Sequence, residues 1–260
     1  MPTRLRDLFE HELAGWRVPA WLAAVLLAFP MVGGVGLILT RVASQDAYTR
    51  VIREDGPIEW ASFACWMVTA VAGTFLALRL WRSGRTLEAC FWSVVVIASF
   101  CAGGEEISWG QRVLGFGTPS HLREMNDQGE VNLHNLASLD NGFRVVMLLL
   151  GLYGSAFALA VRWRSREAGN DTVELLIPPL FLFSMFFLIA AFRLTWFVLL
   201  APRPLRDTPV SYGEWAEMCV ALGMAAFASL GLRRLSFAGH ARQPAMDRSA
   251  RESTMRVGHP

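Results

Sequence analysis

Six long apolar runs constrain this 260-residue chain more than any other feature of its sequence. A helix needs roughly 20 apolar residues to cross about 30 Å of hydrocarbon, and six stretches meet or approach that length. A soluble domain is a poor alternative, because 53% of the residues are hydrophobic and only 18% are charged. The sequence predicts an all-α, polytopic membrane helix bundle. Its spans are expected near residues 21–39, 58–80, 87–104, 143–161, 175–200 and 215–232.

Arginines beside the spans predict how the bundle is oriented. Short cytoplasmic loops retain positive charge, whereas exported loops are depleted of it. Arginines are concentrated between spans two and three, between spans four and five, and after span six, although Arg41, Arg50 and Arg53 in the first exported loop weaken the pattern. We therefore expect a multi-pass protein of the cell (inner) membrane with both termini cytoplasmic.

The chain is expected to form one transmembrane helical domain over residues 1–237. Residues 238–260 are polar and predict a disordered cytoplasmic tail. In span five, Pro178 and Pro179 are expected in the first turns, where a missing amide donor matters least and no mid-membrane kink is required.

Charge and cysteine patterns exclude several functional classes. The net charge of +2 is small and the arginines are divided among several segments between helices instead of forming one basic face, so we expect no nucleic-acid partner. The four cysteines fall inside apolar runs without a CxxC pair, which predicts small buried hydrophobes and no zinc knuckle. Membrane lipids are the partners that the composition predicts.

The long segment between spans three and four, residues 103–135, holds many polar residues that contact with lipid does not explain. Loops of this length are usually functional or disordered. Apolar residues recur through the segment, among them Trp109, Phe116 and Val131, and they could anchor it. The sequence therefore predicts a folded or re-entrant outer segment between helices three and four.

The glutamates at the end of span three are the strongest candidates for a functional site. A helix C-terminus disfavours negative charge, so Glu105 and Glu106 are not explained as stabilisers of the helix dipole. If the helix continues past Gly104, then Glu105, Ser108 and Arg112 share one face and Glu106 is turned about 100° away. That face would carry an acid, a hydroxyl group and a cation.

Glu130 and His134 would also share a helical face, at a spacing of i and i+4. Such a pair suits a divalent metal ion, with Glu106 as a third ligand. The alternative is an amphipathic interfacial helix whose polar side contacts water and lipid headgroups.

Further ionisable residues are predicted at the same level of the membrane. Glu59 begins span two, Glu214 and Glu217 begin span six, and Arg193 lies near the end of span five. Charged residues at this depth normally face a protein interior or a water-filled cavity. Because acids outnumber cations here, the set favours a bound cation, a cationic substrate or protonated carboxyl groups.

The residues of this segment also resemble those of a known group of proteins. The run Gly104-Glu105-Glu106-Ile107-Ser108-Trp109-Gly110-Gln111-Arg112, followed by Asn126, Gln128-Gly129-Glu130 and Asn132-Leu133-His134-Asn135, is similar to a pattern in uncharacterised bacterial multi-pass membrane proteins. The resemblance is confined to this segment and implies no known activity.

Three functions fit these patterns. The first is a membrane-embedded, metal-assisted or metal-free hydrolase or transferase that acts on a lipid or lipid-linked substrate at the outer leaflet. The others are a non-catalytic assembly or scaffold protein and an ion-coupled transporter. For the enzyme, the candidate catalytic residues are Glu105, Glu106, Ser108, Arg112, His134 and Arg193, and the candidate metal ligands are Glu106, Glu130 and His134.

Overall fold

The computed structural model describes residues 2–53, 56–120, 131, 140–164, 171–199 and 210–257, and none of them lies in a β-strand. The α-helices are α1 (Pro2–Trp16), α2 (Ala20–Ala43), α3 (Gln45–Ile52), α4 (Pro57–Arg82), α5 (Thr86–Glu106), α6 (Gln111–Leu114), α7 (Asp140–Leu152), α8 (Ala158–Arg164), α9 (Asp171–Leu176), α10 (Phe183–Leu199) and α11 (Val210–Val257). Short 3₁₀ helices cover Ser108–Gly110 and Leu180–Leu182, and a π-helical turn covers Tyr153–Phe157.

Six helical stretches are long and apolar enough to cross a membrane, which confirms the predicted polytopic helix bundle. Each stretch overlaps the apolar run from which it was predicted. Large apolar side chains such as Met31 and Val32 are exposed on the outer faces, as lipid-facing helices require. The six spans are Ala20–Ala43, Gln45–Arg82, Thr86–Glu106, Asn141–Arg164, Thr172–Thr195 and Tyr212–Phe237.

The last helix is longer than the sixth span. Its helical backbone continues past Phe237 to Val257, through the segment for which the sequence predicted a disordered tail. The side chains of residues 238–257 lie outside the described part of the structure.

The bundle is held together by a core of aromatic side chains. Helix α4 packs against α5 and α11, and α10 packs against α2, α7 and α11. Trp92, Phe181, Phe186 and Phe227 are among the largest fully buried side chains. The rings of Trp92 and Phe227 lie 5.1 Å apart and connect α5 to α11. These contacts fix the lateral order of the spans.

Span five is interrupted within its first turns, at the two prolines for which the sequence predicted no mid-membrane kink. Helix α9 ends at Leu176, and the helix resumes only at Leu180, after Pro178 and an extended Pro179 with φ −69° and ψ 153°. Adjacent prolines remove two amide donors, and the ring of Pro179 disfavours helical geometry at the residue before it. The carbonyl groups in the gap therefore lose their helical partners.

Side chains from neighbouring helices satisfy these carbonyl groups. The Tyr153 hydroxyl donates to the carbonyl oxygen of Leu176. The Arg162 guanidinium donates to the carbonyl oxygen of Ile177 at 2.8 Å and to that of Pro178 at 3.3 Å. Because unsatisfied polar groups are costly away from water, Arg162 stabilises the break directly.

Helix α1 docks at the same end of the bundle, which we call the Arg162 end. The Glu12 carboxylate accepts a hydrogen bond from the amide of Leu180 at 2.7 Å and lies 2.7 Å from the Arg162 guanidinium. Arg233 donates to the carbonyl oxygen of Trp16 at 2.6 Å, where the last carbonyl groups of α1 lack helical partners. Spans two, four and six end at this level, and spans three and five begin there.

Candidate functional site

Carboxylates from three helices meet at the opposite end of the bundle, which we call the Glu106 end. Glu106 is the last residue of α5, and its half-buried carboxylate interacts electrostatically with Glu59, Glu214 and Glu217. Glu59 lies in the first turn of α4, and the other two lie near the start of α11. The structure thus brings together residues that are far apart in the sequence.

Span five contributes a cation to the same end. Arg193 forms an ion pair with Glu217, and its guanidinium carbon lies 5.5 Å from the centre of the Phe192 ring. The residue is only 8% exposed, and its Nε–H is buried without a hydrogen-bond partner among the described residues. The Glu217 carboxylate therefore holds Arg193 through a terminal nitrogen, while the Nε–H of Arg193 remains available to donate a hydrogen bond.

The indole of Trp66, on α4, is a second buried donor beside the carboxylates. Trp66 is 4% exposed, and its N–H lies next to the Glu106 carboxylate. In the described part of the chain this N–H has no hydrogen-bond partner of normal geometry. Two hydrogen-bond donors, the Trp66 N–H on α4 and the Arg193 Nε–H on α10, thus lie beside the carboxylates of Glu106 and Glu217.

Glycines at the end of α5 allow this close approach of α4 and α5. A Cβ atom added at Gly103 would lie 2.5 Å from the terminal methyl of Met67 and 3.2 Å from the Cβ of Trp66. At Gly104 it would lie 2.9 Å from the Trp109 ring. The two glycines therefore place Trp66 next to Glu106 and let Trp109 fold back over the end of the helix.

The helix does not continue past Glu106, so the predicted shared face of Glu105, Ser108 and Arg112 is wrong. The φ angles of Ser108, Trp109 and Gly110 are +47°, +55° and +76°, which turn the backbone out of the right-handed helix. Left-handed geometry is strained for residues other than glycine and persists only where surrounding contacts support it. One such contact is a 2.7 Å hydrogen bond from the Trp109 indole to the Glu105 carboxylate.

Glu105 and Ser108 are buried in this turn, with exposures of 8% and 5%. Glu105 holds Trp109, whereas Glu106 is the residue that interacts with the other carboxylates. The two neighbouring glutamates therefore have different environments. The backbone of Arg112 belongs to α6, and its side chain lies outside the described part of the structure.

Gln111 supports the predicted folded segment between spans three and four. Its amide donates to the Thr118 hydroxyl at 2.6 Å, and its carbonyl oxygen accepts from the backbone amide of Val131 at 2.8 Å. This side chain connects the turn after α5 to a residue 20 positions away in sequence.

The predicted metal ligands Glu130 and His134 lie outside the described residues, so the metal site stays a prediction. Within the ranges that the structure describes, no group of three or more histidine, cysteine or acidic residues is arranged to hold a metal ion. Glu106 alone of the three proposed ligands can be placed.

No family model matches this chain, and neither does any curated protein or solved structure.

Two features of the structure were not found from the sequence. The first is Trp66, which the sequence shows as one more aromatic residue inside an apolar run. The second is the buried cluster of Glu12, Arg162 and Glu174, in which Arg162 lies 3.2 Å from Glu174. Glu12 lies before the first span and Arg162 follows the predicted fourth span, so no local pattern marks either of them as buried.

Proposed function

We propose that this protein is a membrane-embedded hydrolase or transferase that acts on a lipid or lipid-linked substrate. The observation that supports it is the position of Glu106, whose carboxylate lies among three other carboxylates and beside the buried Trp66 indole. A carboxyl group placed in this way suits general acid and base catalysis, which requires a group that exchanges protons with the reacting atoms.

In this proposal Glu106 accepts the proton of an attacking water molecule or acceptor hydroxyl group as its oxygen bonds to the reacting centre of the substrate, and returns that proton to the leaving oxygen as the original bond breaks. Arg193, whose Nε–H has no partner among the described residues, stabilises the negative charge that develops on the substrate oxygen. Glu217 holds Arg193 in place through their ion pair. Glu105 acts as a positioning residue, because it fixes the turn through Trp109.

The arginine distribution supports placing the Glu106 end at the outer leaflet of a bacterial inner membrane. A divalent metal ion belongs to the proposal only if Glu130 and His134 approach Glu106. It would then act as a Lewis acid toward the substrate. Metal analysis of the wild type and of His134→Ala tests this part separately, and equal metal content in the two proteins would remove it.

Turnover by the purified protein tests the enzyme. The protein is reconstituted with phosphatidylethanolamine, phosphatidylglycerol and a polyprenyl diphosphate, and released or transferred headgroups are measured by mass spectrometry. We expect Glu106→Gln to reduce the rate by about 100-fold or more, which is typical of the loss of a general acid or base. Glu10→Gln, at an exposed glutamate paired with Arg6, is the matched control and should keep full activity. Equal rates in Glu106→Gln and the control would refute the assignment.

The interrupted span five favours an ion-coupled transporter as a second candidate. Transporters often place ion and substrate sites at discontinuous helices. Here the break adjoins the buried ionisable residues Glu12 and Arg162. However, side chains of the protein itself occupy several of the freed carbonyl groups, which makes the break a weaker site than the Glu106 end. Solute uptake into proteoliposomes that is driven by a proton gradient and lost in Glu12→Gln would favour the transporter.

A further inference from the structure

The Glu106 end contains two buried donors that have no hydrogen-bond partner of normal geometry among the described residues. These are the Trp66 indole N–H and the Arg193 Nε–H, and both residues are more than nine-tenths buried. They adjoin the same pair of carboxylates, since Trp66 lies beside Glu106 and Arg193 is paired with Glu217. A buried donor that has lost water and found no partner is costly. An oxygen atom of a ligand would remove that cost at both positions.

Negative charge is concentrated at the same place. Glu106 faces three other carboxylates, and within the described residues no cation forms an ion pair with it. Arg193, at the same end of the bundle, is already paired with Glu217. A cationic group of a ligand beside Glu106 would offset the repulsion.

We propose that the Glu106 end binds a ligand in which a protonated amine lies a short distance from a phosphate, as in the headgroup of phosphatidylethanolamine. The amine contacts Glu106, and the phosphate oxygens accept from Trp66 and Arg193. This inference rests on the proposed function, since it names the substrate class of the same site.

The depth of the site favours a lipid over a soluble aminophosphate. The carboxylates lie where α4 and span six begin and span three ends, which is the level of lipid headgroups. Trp60 and Trp109, at the same level, are 41% and 40% exposed. Exposed tryptophans at span ends are typical of the interface between headgroups and hydrocarbon.

Binding to the full-length protein in detergent micelles tests the proposal. The probes are dioctanoyl phosphatidylethanolamine and dioctanoyl phosphatidylglycerol, which share chains and phosphate and differ in the amine. Native mass spectrometry should show about tenfold tighter binding of the amine lipid, the effect of about one charge-assisted hydrogen bond. Equal affinity for the two lipids would overturn the proposal.

Two variants assign the contacts. Glu106→Gln should abolish the preference for the amine lipid. Trp66→Phe keeps an aromatic ring and removes the N–H, so it should weaken the binding of both lipids by a similar factor. Thermal unfolding of each variant shows whether it is folded, and Glu10→Gln should bind as the wild type does. A preference that survives in folded Glu106→Gln would contradict the assignment of the amine.

Glycerophosphoethanolamine, which has the headgroup without the chains, distinguishes the source of the ligand. Weaker binding of this compound than of the lipid supports a bilayer ligand, and equal affinity would overturn the lipid assignment. Because binding is measured without turnover, selective binding without any reaction would leave this site intact and refute the enzyme. Turnover without a preference for the amine would leave the enzyme intact and refute this binding site.

Discussion

Glu12 shows at the residue scale how one carboxylate can connect a peripheral helix to the bundle. It lies on α1, outside the membrane spans, and only 4% of its surface is exposed. Burial is the main cause that raises the pKa of Glu12 to about 7, and the nearby Glu174 acts in the same direction, while Arg162 and the hydrogen bond from Leu180 oppose the rise. The cluster contains two carboxylates and one guanidinium, so one proton bound to either carboxylate makes the net charge of the cluster zero.

Docking of α1 should therefore weaken as the pH rises. Glu12 binds a proton more readily when docked than when solvent-exposed, where its pKa is 4.5. The stabilisation from that proton is complete below pH 4.5 and is lost as the pH rises to about 7. At about 1.4 kcal/mol per pH unit, the docking free energy should fall by an amount on the order of 3 kcal/mol. Hydrogen exchange of the α1 and Leu180 amides, corrected for intrinsic rates, measures this change.

Glu12→Gln separates this effect from a general effect of pH. The amide keeps an acceptor for Leu180 and cannot titrate, so protection of α1 should be independent of pH over the same range. Glu10→Gln, on the exposed side of α1, should keep the slope of the wild type. If Glu12→Gln and the wild type lose protection equally, Glu12 is not the titrating group.

The sequence could not have predicted this contact. Glu12 and Leu180 are 168 positions apart, and neither residue lies in a pattern that indicates a partner. By contrast, the level of Glu59, Glu106, Glu214 and Glu217 could be predicted, because each lies at the end of an apolar run of known length. Depth in a membrane follows from counting residues, whereas pairing between helices depends on packing.

At the scale of single elements, close helix packing depends on glycines that face aromatic rings. Gly154 lies in the π-helical turn of span four, against Phe186 of span five, whose side chain is fully buried. A Cβ atom added at Gly154 would lie 2.1 Å from the Phe186 ring. Small residues at such positions let transmembrane helices approach each other.

Gly154→Ala should accordingly destabilise the bundle. Overpacking of a filled core costs about 1–3 kcal/mol, which lowers the melting temperature by roughly 2–10 °C. Gly36→Ala is the matched control, because a Cβ atom there would have no neighbour within 4 Å. Both alanines favour helical backbone, so the difference between their melting temperatures isolates the steric effect. Equal melting temperatures would show that Phe186 moves aside without cost.

The ends of helices were harder to predict from the sequence than their existence. The apolar run predicted α5 correctly, but the left-handed turn after Glu106 involves Ser108 and Trp109, which do not favour that conformation on their own. In span five, the prolines were placed in the first turns, yet the helix breaks there because Tyr153 and Arg162 supply donors to the freed carbonyl groups. Both differences arise from contacts that local sequence patterns do not show.

The two ends of the whole molecule differ in their chemistry. At the Arg162 end, the buried arginine contacts two carboxylates and two backbone carbonyl groups, and α1 covers the cluster. At the Glu106 end, the described structure has four carboxylates and one paired arginine, and the N–H groups of Trp66 and Arg193 have no hydrogen-bond partner of normal geometry, as is also true of the Trp16 indole at the Arg162 end. The first end has the contacts of a structural support, and the second is the place of the proposed binding site. The orientation of the bundle therefore decides which side of the membrane would supply the proposed ligand.

Ser83 and Ser120 offer a matched pair for testing that orientation. Both are exposed; Ser83 follows α4 at the Arg162 end, and Ser120 lies in the segment after α5 at the Glu106 end. Each is changed to cysteine in a background whose four native cysteines are replaced by alanine. Since arginine-rich loops stay in the cytoplasm, a membrane-impermeant maleimide should label Ser120→Cys in intact cells and Ser83→Cys only in inverted vesicles. The opposite pattern would place the Glu106 end in the cytoplasm, and the proposed substrate would then have to come from the inner leaflet.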